Sequence, residues 1–165
     1  MGLSIRNRQR SRRIDLAYLR KITRALLDEL LPDGEYGLAI HVVATEEIVR
    51  LNESYLHHEG PTDVITFDYS TEDLKLEDSL KLEACSLELP RLALHGEIFV
   101  CVDVAITQSR RFRTTWHSEV VRYIIHGVLH LRGFDDRHAA ARRAMKREES
   151  RQLRSLARRF DFAQL

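Results

Sequence analysis

The chain has 165 residues, 44% of them hydrophobic and 31% charged, with a formal net charge of +1. That length suffices for one globular domain with a buried core, and the composition excludes disordered, collagenous and disulfide-stapled classes. No apolar run approaches the ~20 residues that span a bilayer, and the basic N-terminal segment lacks the apolar stretch of a signal peptide.

In chain order, LSI at residues 3–5 allows a short first strand. From Ile14 to Leu31 apolar residues recur with helical spacing (Ile14, Leu16, Leu19, Ile22, Leu26, Leu27, Leu30), opposite Arg20, Lys21 and Arg24, and Pro32-Asp33-Gly34 stops the helix. GLAIHVVA, residues 37–44, reads as a buried strand. Thr45 is placed to cap a short helix through Leu51 and Asn52, with Glu46 and Glu47 in its first turn. A Gly60-Pro61-Thr62-Asp63 turn leads into the strand VITFDY. Residues 70–94 carry six acids and three bases without a single period, and are expected to be a surface insertion, a ragged hairpin or loop without catalytic role.

GEIFVCVDVA, residues 96–105, reads as a strand. After Arg110-Arg111-Phe112-Arg113, Thr114 or Thr115 can cap a helix containing VVRYIIHGVLHL, with Trp116 as an anchor at its start. A last, basic helix covers about 138–159, with Ala140, Ala141, Ala144, Met145, Leu153 and Leu156 as its buried positions. Strands and helices thus mix within a single domain spanning 1–165, the α/β (α+β) class. There are no internal repeats and no Gly-rich phosphate loop, so no nucleotide cofactor is expected. Cys85 and Cys101 stand in no metal or redox spacing, which fits reduced thiols in a cytoplasm.

The small net charge hides an asymmetry. Residues 1–25 hold eight Arg/Lys against Asp15, residues 137–165 hold nine against three acids, and the stretch between holds nine against twenty-one. Basic ends around an acidic centre can clamp a polyanion and leave carboxylates for a metal; solvated helix faces are the plainer reading.

The segment HGVLHLRGFDD decides between them. His126 and His130 lie four apart, on one face of a helix, and can bind one cation from adjacent turns. Gly133 can end that helix in the left-handed conformation and let the chain return with a third ligand, for which Asp136 has the right step. Asp135 and His138 compete for that place; Asp135 better suits a partner that orients an imidazole or the chain end, and His138 falls where the last helix opens. Three protein ligands leave one zinc ion an open position for water, as in catalytic sites. Metalloproteases of the H-E-x-x-H kind place a glutamate after the first histidine; this chain has Gly127, which disfavours a peptidase. Asn52, Tyr55, Thr62 and Asp63 read as structural (a cap, a core ring, turn chemistry), as does Glu97.

HGVLHLRGFDD, NESYLHHEGPTDVITFDY and GEIFVCVDVA together resemble the YbeY family of rRNA maturation factors, in the family's order and over roughly Ile14 to Met145. The resemblance implies an α/β fold with a small mixed sheet and surrounding helices, and a metal-dependent, single-strand-specific endoribonuclease acting in maturation of small-subunit ribosomal RNA. It further implies one zinc ion and contact with ribosomal RNA and the immature small ribosomal subunit. His126 and His130 match the first two metal ligands; the third is commonly histidine in the family and is Asp136 here. Many members carry arginine after the aromatic of N-x-x-Y, where this chain has Leu56. Arg110, Arg111 and Arg113 are the candidate RNA-backbone contacts, and no side chain is assigned as general base. The rival readings are an assembly factor with a structural metal and a metal hydrolase of another substrate, such as peptide.

Overall fold

The computed structural model describes residues 2–32, 34–70 and 94–165. Four strands form one sheet: β1 (Gly2–Asn7), β2 (Tyr36–Val43), β3 (Val64–Asp68) and β4 (Leu94–Cys101), in the order β1-β2-β4-β3. The β1–β2 and β2–β4 pairs are parallel, and β3 runs antiparallel to β4. The helices are α1 (Leu16–Leu30), α2 (Thr45–Leu51), α3 (Val102–Phe112), α4 (Trp116–Leu131) and α5 (Ala139–Ala157). A π turn over Asn52–Leu56 extends α2, and a 3-10 turn over Phe162–Gln164 closes the chain.

The two sheet faces follow from register. Ile5, Ile40 and Ile98 stand abreast across β1, β2 and β4, with Thr66 of β3 opposite Ile98. Against this face pack Leu19, Leu26 and Leu27 of α1, Ile125 and Leu129 of α4, and Met145 and Leu156 of α5, all nearly inaccessible. The other face holds a smaller cluster in which Val43, Ile65, Phe99 and Cys101 meet Ile48 of α2. Strands covered on both faces lose simple alternation, which is why GLAIHVVA reads as a continuous apolar run.

Helix α1 starts where its period begins. Asp15 caps it by accepting from the amides of Ala17 and Tyr18, at 2.9 and 3.0 Å. Its own amide donates to the carbonyl of Leu165, tying the last residue to the start of α1.

Three local expectations are corrected. The segment read as a strand through Ala105 leaves the sheet at Cys101, and α3 begins at Val102. Val102, Ala105, Ile106 and Ser109 recur at helical spacing, a period masked by the β-branched run before it. Thr45 does not cap α2; Ala44 holds that position. The Thr45 amide and hydroxyl donate instead to the Asp103 carboxylate at 2.8 and 3.1 Å, joining α2 to the first turn of α3. Ala140 is exposed, and Ala141, Ala144 and Leu153 are only half-buried, so Met145 and Leu156 anchor α5 together with the buried polar residues Glu149 and Gln152. The 70–94 excursion lies, from 71 to 93, outside the described residues.

Candidate metal centre

Helix α4 turns its apolar side chains inward and leaves Arg122, His126 and His130, four residues apart, as a half-buried stripe. Thr115 caps the helix by accepting from the amide of Ser118 at 3.1 Å, and Trp116 packs against the core at its first position. The helix lies so close to the sheet that a Cβ on Gly127 would sit 2.8 Å from Ile98 Cγ2 and 3.1 Å from Thr66 Cγ2. Any side chain there must displace Ile98 and Thr66, and one as long as glutamate has no room. The absent glutamate is thus a packing requirement, because position 127 faces the sheet.

The helix ends in a Schellman turn. Gly133, at φ +85°, donates to the carbonyl of His130, and Phe134 donates to that of Leu129. This turn brings the Phe134 carbonyl 3.0 Å from His130 Nδ1 and carries Asp136 back toward the helix. A carbonyl can only accept, so Nδ1 of His130 bears the proton and Nε2 the lone pair. The Glu149 carboxylate on α5 lies 3.0 Å from His126 Nδ1 and likewise leaves Nε2 of that ring outward.

The two Nε2 atoms face each other at 3.0 Å. Nitrogens bound to one tetrahedral zinc at ~2.05 Å lie about 3.3 Å apart, so the pair is spaced to share a cation. Asp136 Oδ2 is 4.0 Å from His130 Nε2, and the ligand atoms of His126, His130 and Asp136 all lie within 4.8 Å of one another. Two imidazoles and a carboxylate form a donor set that zinc accepts. His138 occupies the N-cap position of α5 at the surface, without a capping hydrogen bond from its side chain, and is not in this group, and Asp135 hydrogen-bonds the amide and guanidinium of Arg137. The carboxylate that orients an imidazole is Glu149.

Burial works against a charged His126, but the hydrogen bond and charge of Glu149 outweigh it and raise its pKa. His130 moves the other way, lowered by burial and by the neighbouring His126. Burial opposes ionisation of Glu149 too, yet its bonds with His126 and Arg122, the latter at 2.9 Å, hold its carboxyl below the ordinary range. In the absence of a metal a proton on His126 Nε2 can bridge the two rings, in the place a cation would take.

Beside His126 opens a cleft of about 530 Å³, lined by α3, α4 and α5 residues that include Arg111, Phe112, Arg122, Tyr123 and Lys146. Arg122 is engaged by Glu149 and Glu119, whereas Arg111 and Lys146 have no ion-pair partner among the described residues. Burial, with the charge of Asp63 second, pushes the Tyr123 phenol up, so it stays protonated. Of the candidate backbone contacts Arg111 lines this cleft; Arg110 and Arg113 are exposed near the end of α3, outside its lining.

The middle block is mostly scaffold. Asn52 is buried and donates to the Gly60 carbonyl at 2.9 Å, and Asp63 accepts from Thr62 and from the Val64 amide while also bordering the cleft. Tyr55, expected in the core, is instead 63% exposed, with its ring edge-on to Phe67. Leu56 is exposed beside it, and Glu97 stands 3.5 Å from His41 on the sheet. Glu149 was readable in principle: Met145, Glu149, Gln152 and Leu156 share the buried stripe of α5, and an acid on such a stripe needs a partner.

Fold and site define a small α/β protein with a candidate metal centre at the C-terminal end of a core helix. The profile of the family described as Endoribonuclease YbeY matches residues 4–157. A Chlorobium luteolum protein named Endoribonuclease YbeY is 33% identical over 160 residues, 96% of this chain and 100% of the relative. A Salinibacter ruber protein of the same name is 31% identical over 156 residues, 93% of this chain and 91% of its own. The solution structure of a Thermotoga maritima protein superposes with a TM-score of 0.57 at 22% identity, covering 93% of this chain and 88% of that one, a likeness of fold. The chain belongs to the endoribonuclease YbeY family.

Proposed function

We propose that this chain is a cytoplasmic, zinc-dependent, single-strand-specific endoribonuclease acting in maturation of small-subunit ribosomal RNA, with the immature small subunit as its partner. The observation that carries the metal is the pair of Nε2 atoms at 3.0 Å, each ring having its Nδ1 committed elsewhere. Two lone pairs at that distance repel unless a metal ion or a proton lies between them, and the Asp136 carboxylate beside the pair completes a donor set suited to a metal. The endoribonuclease family supplies the substrate class. No described helix is long and apolar enough to cross a membrane.

His126, His130 and Asp136 hold the ion, which when bound supplies Lewis acidity toward water and a phosphoryl oxygen. Glu149 and the Phe134 carbonyl keep the two imidazoles turned toward it. Arg111 and Lys146, which line the cleft, hold the RNA backbone, with Arg110 and Arg113 exposed nearby at the end of α3. Tyr123, buried and protonated, forms part of the cleft wall.

The test is metal content and cleavage of unstructured RNA for the wild type, His130→Ala and Asp136→Asn. Cleavage that follows metal content and is lost in both variants, with the fold intact, supports the reading. Cleavage by a metal-free wild type, or undiminished cleavage by His130→Ala, would overturn it.

A further inference from the structure

The longest helix among the described residues has a charged surface that the metal centre does not use. α5 carries six basic residues and two acids, and both acids are occupied: Glu149 by His126 and Arg122, Glu148 by Arg151 and Gln152. Arg143, Lys146, Arg147 and Arg154 are exposed and have no carboxylate partner among the described residues. With Arg142 and Arg151 they line a shallow groove along the helix. Arg143, Arg147 and Arg154 follow one another at steps of four and seven, on one face, over about 16 Å at 1.5 Å rise per residue.

This groove joins the cleft. Lys146 lines both, and Arg142 Nε donates to the Asp136 carbonyl at 3.0 Å, so the basic stripe begins on the turn that delivers the third ligand. Arg151 of this groove is paired with Glu148 and Glu29, but a strand of phosphates leaving the cleft past Lys146 meets the guanidinium groups of Arg143, Arg147 and Arg154, which have no carboxylate partner among the described residues. We propose that the outward face of α5 is a second RNA-backbone surface, which holds the single strand on one side of the cut. It rests on the reading of the chain as a nuclease. Guanidinium groups suit phosphate oxygens, and a backbone track of this kind carries no sequence preference.

The test compares the wild type with the triple substitution Arg143→Gln, Arg147→Gln, Arg154→Gln and with its charge-keeping counterpart Arg143→Lys, Arg147→Lys, Arg154→Lys. Affinity for poly-uridine is measured against salt, and cleavage is measured on poly-uridine and on a tetranucleotide that occupies the cleft alone. Single strands give a slope of about 0.7 per phosphate contact in log affinity against log salt, so the Gln variant loses about two units of slope. It binds poly-uridine roughly tenfold or more weakly at moderate salt and cleaves it with raised KM, while cleaving the tetranucleotide as the wild type does. The Lys variant keeps the slope. An unchanged slope and KM in a folded Gln variant overturns the proposal, as for a face that meets an acidic protein instead. If the wild type cleaves neither substrate yet the slope falls in the Gln variant, the nuclease reading fails and the binding surface stands.

Discussion

Substituting Glu149 by Gln keeps the shape of the side chain and removes its charge. In the folded protein the two carboxylate oxygens accept separately, one from Arg122 at 2.9 Å and the other from His126 Nδ1 at 3.0 Å, and the side chain is 7% exposed. A glutamine has one acceptor and turns an NH2 group toward whichever donor it cannot serve, leaving that donor unmet at about 1–3 kcal/mol. For a chain of 165 residues this corresponds to a melting temperature lower by about 2–12 °C, at 2–4 °C per kcal/mol. Removal of a carboxylate that orients a metal-bound imidazole also weakens metal binding about 10–100-fold. Zinc affinity by competition with a chromophoric chelator, together with melting curves from pH 3 to 8, reads both effects. Because the Glu149 carboxyl titrates lower in the folded chain than free, its contribution is complete at neutral pH and is lost as acid protonates it, below the ordinary carboxylate range. Glu149→Gln should therefore flatten the acid limb of the stability curve. A folded variant with wild-type zinc affinity and an unchanged acid limb would refute the role given to this carboxylate.

Gly127→Ala should destabilise by about 1–3 kcal/mol in urea unfolding, because its Cβ meets Ile98 and Thr66 at 2.8 and 3.1 Å; Gly127→Glu should not yield folded protein, and a well-folded one contradicts the packing described. Gly133→Ala, at φ +85°, should cost about 1 kcal/mol and lower zinc affinity by displacing Asp136; wild-type values for both count against the turn. Zinc affinity should fall with acid from a pH above the ordinary histidine value, because His126 holds its proton more tightly and the metal must displace it; calorimetry in buffers of different ionisation enthalpy should show proton release there, and its absence refutes the assignment.

What the sequence disclosed about this site was local. Spacings of four along α4 and the glycine that ends it are properties of one helix, so the pair His126–His130 and the return of Asp136 could be read from a single segment. Glu149 is twenty-three residues from its histidine and meets it only because Met145 and Leu156 seat α5 against the core. Such a contact follows from tertiary packing. The same distinction explains α3. Its first turn is apolar and β-branched, which suits a strand, and only the burial of Val102 and Ala105 resolves it as helix. Tyr55 failed as a core residue for a related reason, since the π turn after α2 directs its ring outward. Position 127 shows the converse: an absence that sequence could register without its cause, which is the sheet beneath the helix.

The two histidines are oriented by unlike means. His130 is held by the peptide carbonyl of Phe134, and every amino acid has such a carbonyl, so replacing that side chain leaves the bond's chemistry in place. His126 depends on a particular side chain of another helix. Genetic change therefore has unequal access to the pair. One imidazole is insured by the main chain, and the other can be retuned by substitution at position 149, which makes His126 the adjustable half of the centre over evolutionary time.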